Sequence, residues 1–303
     1  MKLNKILKTM ENSLEYLLKN EQDFETLALS ASNIPESCCI FLDDVKYAKD
    51  IRENVTMVLT TEEIETYVKE QTEYKGGFCV VKQPRLLFFE IHNYLENSVD
   101  YVRPVFETKM GKACQISPLA SISESNVVIG DNVIIEEFAV IRANTVIGNN
   151  SIVRAGAKIG GQGFEFKRTQ DSIVSVAHLG GVIIGHHVEI QYNTCIDRAV
   201  YPWDNTVIGN YSKIDNLVHI GHAVKVEENV MIVAQSGIGG RTIIKPETWI
   251  GFGATVSNGL IIGRNARVNI GSVATRSVQD EQSVTGNFAI EHSKFIENLK
   301  NNR

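Results

Sequence analysis

Lys213-Ile-Asp-Asn-Leu-Val-His-Ile-Gly-His222 is a stretch that neither a helix nor an ordinary strand explains. Its isoleucines are six apart, and the step continues in both directions: Ile208, Ile214, Ile220, Val226, Ile232, Ile238, Ile244, Ile250, Val256, Ile262 and Val268. An α-helix repeats its apolar face about every 3.6 residues and a strand every 2, so an unbroken period of six marks a repeat architecture. Glycine follows the period residue at 209, 221, 239, 251 and 263, and small residues such as Ser212, Ser236, Thr242, Thr248, Ala254 and Ala266 sit four places after it. Short strand, tight turn and next face read as the hexapeptide repeat of a triangular parallel β-helix. Three hexads close a coil of about 18 residues, so residue i+18 stacks on residue i, about 4.8 Å along the axis.

Towards the N-terminus the hexads begin at Ile116 and Ile122, slip by one residue, and continue from Ile129 through Ile135, Ile141, Ile147, Val153 and Ile159. The period breaks at Gly160, returns at Ile184, Ile190 and Ile196, and breaks again at Tyr201-Pro-Trp-Asp-Asn205. The breaks predict two loops expelled from the prism, 160–181 and 200–206, where specificity would reside. The β-helix domain is thus expected over 112–288. Past Val268 the pattern fades through Ala274 and Val284, and 289–303 has room for one short helix with Phe295, Ile296 and Leu299 on its apolar side.

Residues 1–105 hold no hexads and read as a small α/β domain. Helix is expected over 12–18, strands over 38–42, 55–59 and 78–81, a helix opened by a capping box at Thr60 and Glu63, and a helix begun by Pro84. A linker is expected around 103–111. The chain of 303 residues carries a net charge of −6 and no dense basic run, which argues against nucleic acid. No signal peptide or membrane span is read at the N-terminus. Five scattered cysteines without a C-x-x-C point to reduced thiols and a cytoplasmic protein.

His219 and His222 flank Ile220. A neutral imidazole suits the removal of a proton from an attacking nucleophile, which makes His222 a candidate general base. One coil above it lies Gly240, whose bare N–H would stabilise an oxyanion, so the pair suits acyl transfer. Asp215, seven residues before His222, either orients the imidazole or is a solvated turn residue. Two bland or rival readings stay open: packed or solvent-facing turn histidines, and zinc held by some of His178, His186, His187, His219 and His222. A non-catalytic β-helix scaffold goes with them.

At these residues the chain resembles the UDP-3-O-acylglucosamine N-acyltransferases of the hexapeptide acyltransferase superfamily. The resemblance rests on Leu179-Gly-Gly-Val-Ile-Ile-Gly185, Thr194-Cys-Ile-Asp-Arg198, Ile214-Asp-Asn216, His219-Ile-Gly-His222, Ala254-Thr-Val-Ser-Asn-Gly259 and Val284-Thr-Gly-Asn-Phe-Ala289 with His292. In the first domain it rests on Phe41-Leu-Asp-Asp-Val-Lys-Tyr47 and Val81-Lys-Gln-Pro-Arg-Leu86. It implies a left-handed β-helix and a homotrimer, to which Met231, Trp249 and Phe252 would contribute apolar surface. It implies His222 as base, Asp215 as its acid partner and Gly240 as oxyanion glycine. Phe41, Asp44, Lys46 and Tyr47 fall on the nucleotide motif, and Asn216, His219 and Asn258 on substrate contacts. No permanent cofactor is implied, only an acyl thioester co-substrate and a nucleotide-linked amino sugar.

The departures shape the expectation. Asp44 stands where the family has Asn and Val45 where it has Pro, replacing a donor-plus-acceptor by an acceptor alone and opening dTDP beside UDP. Leu260 replaces a second active-site histidine, and the short tail favours coenzyme A over acyl carrier protein as the donor. The expected activity is N-acylation of that sugar for surface-polysaccharide or lipopolysaccharide synthesis. Long-chain lipid A N-acylation from acyl carrier protein is the alternative.

Overall fold

A computed structural model describes residues 1–10, 14–169, 171–286 and 289–301. It divides into two compact units: 1–104 with 164–179 and 200–203, and the remainder from 105 onward.

The larger unit is a left-handed parallel β-helix. Among the described residues three parallel sheets of nine, eight and eight strands form its faces. Residues 18 apart pair along the regular stretch, as in Ile214 with Ile232 and Ile250 with Val268. All eleven period residues from Ile208 to Val268 are at most 1 % exposed. The position three after each is in the left-handed backbone region, including Tyr211, Leu217, Ala223, Gln235, Arg241 and Glu247, which are not glycine. A side chain there costs of the order of 1–2 kcal/mol, whereas burying the aliphatic period residue stabilises by about 1.5–3 kcal/mol. Core burial therefore wins over local preference at every turn. The small residues four places on face inward, and where they carry hydroxyls these bond the neighbouring coil: Ser236 Oγ donates to Gly251 O at 2.8 Å and Thr248 Oγ1 to Gly263 O at 2.8 Å.

Pairing starts earlier than the hexads announce, because Lys109–Met110 already lies alongside Val127–Ile129. The seven-residue step at 122–129 is absorbed by Asn126, in the left-handed region, whose side chain bonds Phe106 N and Asn144. At the C-terminus, His292–Asn301 is helical and buries none of its residues.

The smaller unit is a five-stranded sheet with helices on both faces. Its strands are β1 (Tyr16–Lys19), β2 (Thr26–Leu27), β3 (Cys38–Leu42), β4 (Val55–Thr60) and β5 (Gly77–Val81), in the order β1-β5-β4-β3-β2. Helices α1 (Leu3–Thr9) and α3 (Pro84–Tyr94) cover one face, and α2 (Glu62–Gln71) with the 3-10 turn Val45–Asp50 covers the other. The expected helix at 12–18 is corrected: 16–18 lie in β1, antiparallel to β5, where Leu18 meets the core, while 12 and 13 fall outside the described residues. Thr61, not Thr60, caps α2, because Thr60 ends β4 and donates its hydroxyl to Leu42 O.

Both excursions belong to this unit. Tyr201 is 2 % exposed and stacks on Trp203 at 5.4 Å, and Trp203 Nε1 donates to Leu27 O. His92, fully buried in α3, bonds Tyr101 OH through Nδ1 at 2.8 Å and Ala177 O through Nε2 at 2.9 Å. A carbonyl only accepts, so the proton sits on Nε2 and Tyr101 donates to Nδ1. Burial depresses the His92 pKa from 6.5 to about 4, opposed by the bond to Ala177. The folded state therefore resists a proton that the unfolded chain accepts, and stability falls as pH drops from 6.5 towards 4, by about 3 kcal/mol in full. Urea titrations at pH 7.5 and pH 4.5 are expected to show this loss in the wild type and a smaller one in His92→Gln; equal losses would remove His92 as its source.

Candidate acyl-transfer site on the β-helix

His222 occupies the corner slot two places after a period residue. At several other corners of the prism the side chain in that slot caps the backbone N–H of its counterpart one coil away. Asn149 Oδ1 accepts from Asp131 N at 2.9 Å, Asn210 Oδ1 from His186 N at 2.8 Å, and Asn216 Oδ1 from Tyr192 N at 3.1 Å. In the column of His222, Gly240 and Asn258 this pattern lapses. Asn258 Oδ1 accepts from its neighbour Ser257, and the Gly240 N–H donates to no acceptor among the described residues.

The imidazole lies directly against that glycine. A Cβ built on Gly240 would come within 2.7 Å of His222 Nε2 and 3.0 Å of its Cδ2, so any side chain at 240 displaces the ring. Gly221 extends the requirement, since a Cβ there would sit 2.8 Å from Gly240 N and cover it. The coil ladder runs through the column, with Arg241 N donating to His222 O and Gly259 N to Gly240 O, both at 2.9 Å. The site thus joins a half-buried imidazole to an open, rigidly held backbone donor.

The structure gives Asp215 partners other than His222. Its Oδ1 accepts from Asn216 N at 2.7 Å and its Oδ2 from Ala234 N at 3.0 Å, which makes it a backbone clip between coils. The carboxylate whose charge reaches His222 is Asp197, in the strand Cys195–Asp197 beside His219–Ile220. Asp197 is 8 % exposed, and its Oδ2 is 3.6 Å from Nε2 of the exposed His219, beyond hydrogen-bond length. Burial pushes the Asp197 carboxyl up to about 6, against the opposing pull of His219 and His222. The Thr206 hydroxyl ties the corner together, donating to Asp197 O at 2.6 Å and accepting from Ala223 N at 2.8 Å. Asp197 escapes sequence reasoning even inside the motif Thr194-Cys-Ile-Asp-Arg198. The excursion at 200–203 interrupts its coil, so stacking by 18 does not find it.

The other histidines are dispersed. His186 Nδ1 accepts from Asn149 N at 2.9 Å, the His187 ring stacks on Tyr211 at 4.9 Å, and His178 Nδ1 bonds Val176 O at 3.0 Å. Among the described residues no three His, Cys, Asp or Glu gather in ligand geometry. Leu260 packs against the β-helix core.

In the smaller unit, Phe41 ends in an aromatic cluster with Phe88 at 5.0 Å and Phe89 at 6.0 Å, and the Arg85 guanidinium lies 5.5 Å from its ring. Asp44 caps the following 3-10 turn and pairs with Lys46 at 2.8 Å; that hydrogen bond holds the Asp44 carboxyl below its usual range. Lys46 Nζ sits 4.8 Å over the ring of Tyr47.

Comparison with known proteins agrees with this architecture. Residues 126–161 and 205–240 match the family described as bacterial transferase hexapeptide (six repeats). Both matched segments lie in the β-helix unit. The chain is 41% identical over 179 residues to UDP-3-O-acylglucosamine N-acyltransferase 2 of Legionella pneumophila (strain Paris), covering 59% of this chain and 46% of that one. Over 145 residues it is 36% identical to UDP-3-O-acylglucosamine N-acyltransferase of Delftia acidovorans, covering 48% and 43%. The chain spans less than half the length of these relatives. Among solved structures, an Arabidopsis UDP-N-acetylglucosamine acyltransferase superposes with a TM-score of 0.51 at 22% identity over 67% of this chain and 75% of that one, which shows the shared fold. No helix among the described residues is long and apolar enough to cross a membrane.

Proposed function

We propose that the protein is an N-acyltransferase that moves an acyl group from a thioester to the amine of a nucleotide-linked amino sugar. The observation that carries this reading is the His222 ring seated on Gly240 beside an N–H without an acceptor. The amine attacks the thioester carbonyl and forms the C–N bond while His222 takes the departing proton. The Gly240 N–H donates to the developing oxyanion, and collapse of the intermediate breaks the C–S bond, the imidazolium returning its proton to the thiolate. Asp197 holds the positive charge of the histidine pair. The relatives' names supply the sugar-nucleotide class, and Phe41, Asp44, Lys46 and Tyr47 are assigned to the nucleotide. Coenzyme A is the favoured carrier of the acyl group, acyl carrier protein the alternative, and a homotrimer the expected assembly, with exposed Met231 beside Trp249 on one prism face.

The test is thiol release from acetyl-coenzyme A and from longer acyl donors, with UDP- and dTDP-linked amino sugars offered in turn. Release that requires a sugar nucleotide supports the reaction class, and silence with every thioester, acyl carrier protein included, overturns it. Asp197→Asn refines the assignment. Because burial raises the Asp197 pKa to about 6, its charge is present above that pH and lost below it. We expect the variant to be slower by about tenfold at pH 7.5, in the range for groups that orient a reacting residue. The deficit should close as pH falls through 6, where the wild-type carboxyl is itself protonated. A deficit constant with pH would leave Asp197 a structural residue only.

A further inference from the structure

Cys195 opens the strand Cys195–Asp197 and pairs with Lys158 on one side and His219 on the other. The residues after them, Ile196 and Ile220, belong to the prism core and are at most 1 % exposed. The alternation of a strand therefore turns Cys195 and His219 outward together, side by side at one strand spacing of about 4.8 Å. Cys195 is a free, partly buried cysteine. Asp197, two residues further on, brings Oδ2 within 3.6 Å of His219 Nε2. A carboxylate on that side favours the proton on Nε2 and leaves the lone pair on Nδ1. On the far side of His219 the column is bare, because a Cβ built on Gly237 would meet nothing within 4 Å. His219 and Gly237 lie three residues before His222 and Gly240 on the same two coils, about 10 Å along the chain.

We infer that Cys195 is an S-acylation site, a thiol to which the protein moves the acyl group of a thioester when no amine is bound. A histidine beside a cysteine, itself flanked by a carboxylate, is the arrangement that turns a thiol into a nucleophile, and such contacts are commonly longer before substrate arrives. Burial raises the Cys195 pKa, opposed by the Lys158 cation and reinforced by Asp197. The thiol is thus protonated at rest, and its attack requires a base. His219 takes the thiol proton while Sγ attacks the thioester carbonyl, and the open strip at Gly237 leaves the donor room to lie across the histidine. A new C–S bond forms, the bond to the carrier sulfur breaks, and the imidazolium returns its proton to the departing thiolate. The products are acyl-Cys195 and the free carrier thiol, and the reverse exchange hands the acyl group back to a thiol. The choice of an acyl thioester rests on the acyl-transfer reading of His222 and Gly240.

The test incubates the full chain with acetyl-coenzyme A and, separately, with a long-chain acyl-coenzyme A, without any sugar nucleotide, and reads intact mass and mapped peptides. One acyl group is expected on Cys195, removed by neutral hydroxylamine as a thioester is, and absent from Cys195→Ala. Labelling of His219→Gln should be slower by about a hundredfold, the lower end of the range for removal of a general base, with circular dichroism unchanged in both variants. Cys114, also partly exposed, is the internal control. Cys195 unlabelled by both donors, equal labelling of Cys195 and Cys114, or an unchanged rate in His219→Gln overturns the inference. The two readings fail separately. An unlabelled Cys195 in a protein that still acylates a sugar removes only this site, and a labelled Cys195 in a protein silent with every sugar nucleotide removes only the proposed function.

Discussion

His222→Ala is expected to lower the rate of thiol release by about a hundredfold or more, the range for removal of a general base. The core should be untouched, because the imidazole is half-buried at a coil corner and the period residue Ile220 beside it carries the packing. Far-ultraviolet circular dichroism and thermal unfolding close to wild type, together with the rate loss, support the assignment. Near-normal turnover in a folded variant would end the mechanism. Exogenous imidazole provides a second reading: partial rescue of rate places the missing function at a proton acceptor, since a lost packing contact is not restored by added base.

Gly240→Ala tests the other half. The alanine methyl cannot coexist with His222 in its present place, with Nε2 at 2.7 Å and Cε1 at 3.1 Å from the added carbon. The backbone of Gly240 does not lie in the left-handed region, unlike Gly253 and Gly259, so alanine brings no conformational strain. The ring is the part that yields. A displacement near 1 Å of a reacting group costs about a hundredfold, and we expect a kcat reduction of that order with a stability change within about 1 kcal/mol. Wild-type kcat in Gly240→Ala would show that neither the ring position nor the open N–H matters to the rate.

Legibility from sequence differs between the two units for a physical reason. In the prism every coil repeats one environment, so the aliphatic at each sixth position meets the same inward-facing slot, and Ile208 to Val268 can be read directly from the period. His222 over Gly240 follows from the same arithmetic, because both lie in uninterrupted coils. Asp197 does not, since an excursion separates it from the coil above. The α/β unit offers no such repetition. Leu14, Leu17 and Leu18 fit a helix as well as a strand, and only the antiparallel neighbour at Cys79 to Val81 decides for β1. In sequence the two loops look like solvent-facing specificity elements, yet Val176, Val200 and Tyr201 are core residues. Apolar side chains in a segment without period carry no mark of which core they join.

That shared core has a consequence for synthesis. A ribosome that has released residues 1–104 has made the whole sheet of the first unit but not Val176, Val200, Tyr201 or the Trp203 that bonds Leu27. The unit begun first must wait, incomplete, while the strands from Lys109–Met110 to Cys195–Asp197 emerge between its parts. Until then the apolar side of α3 lacks its full cover, and the nascent chain carries an unfinished core through the making of several prism coils. Release of residue 203 delivers the last segment that unit needs.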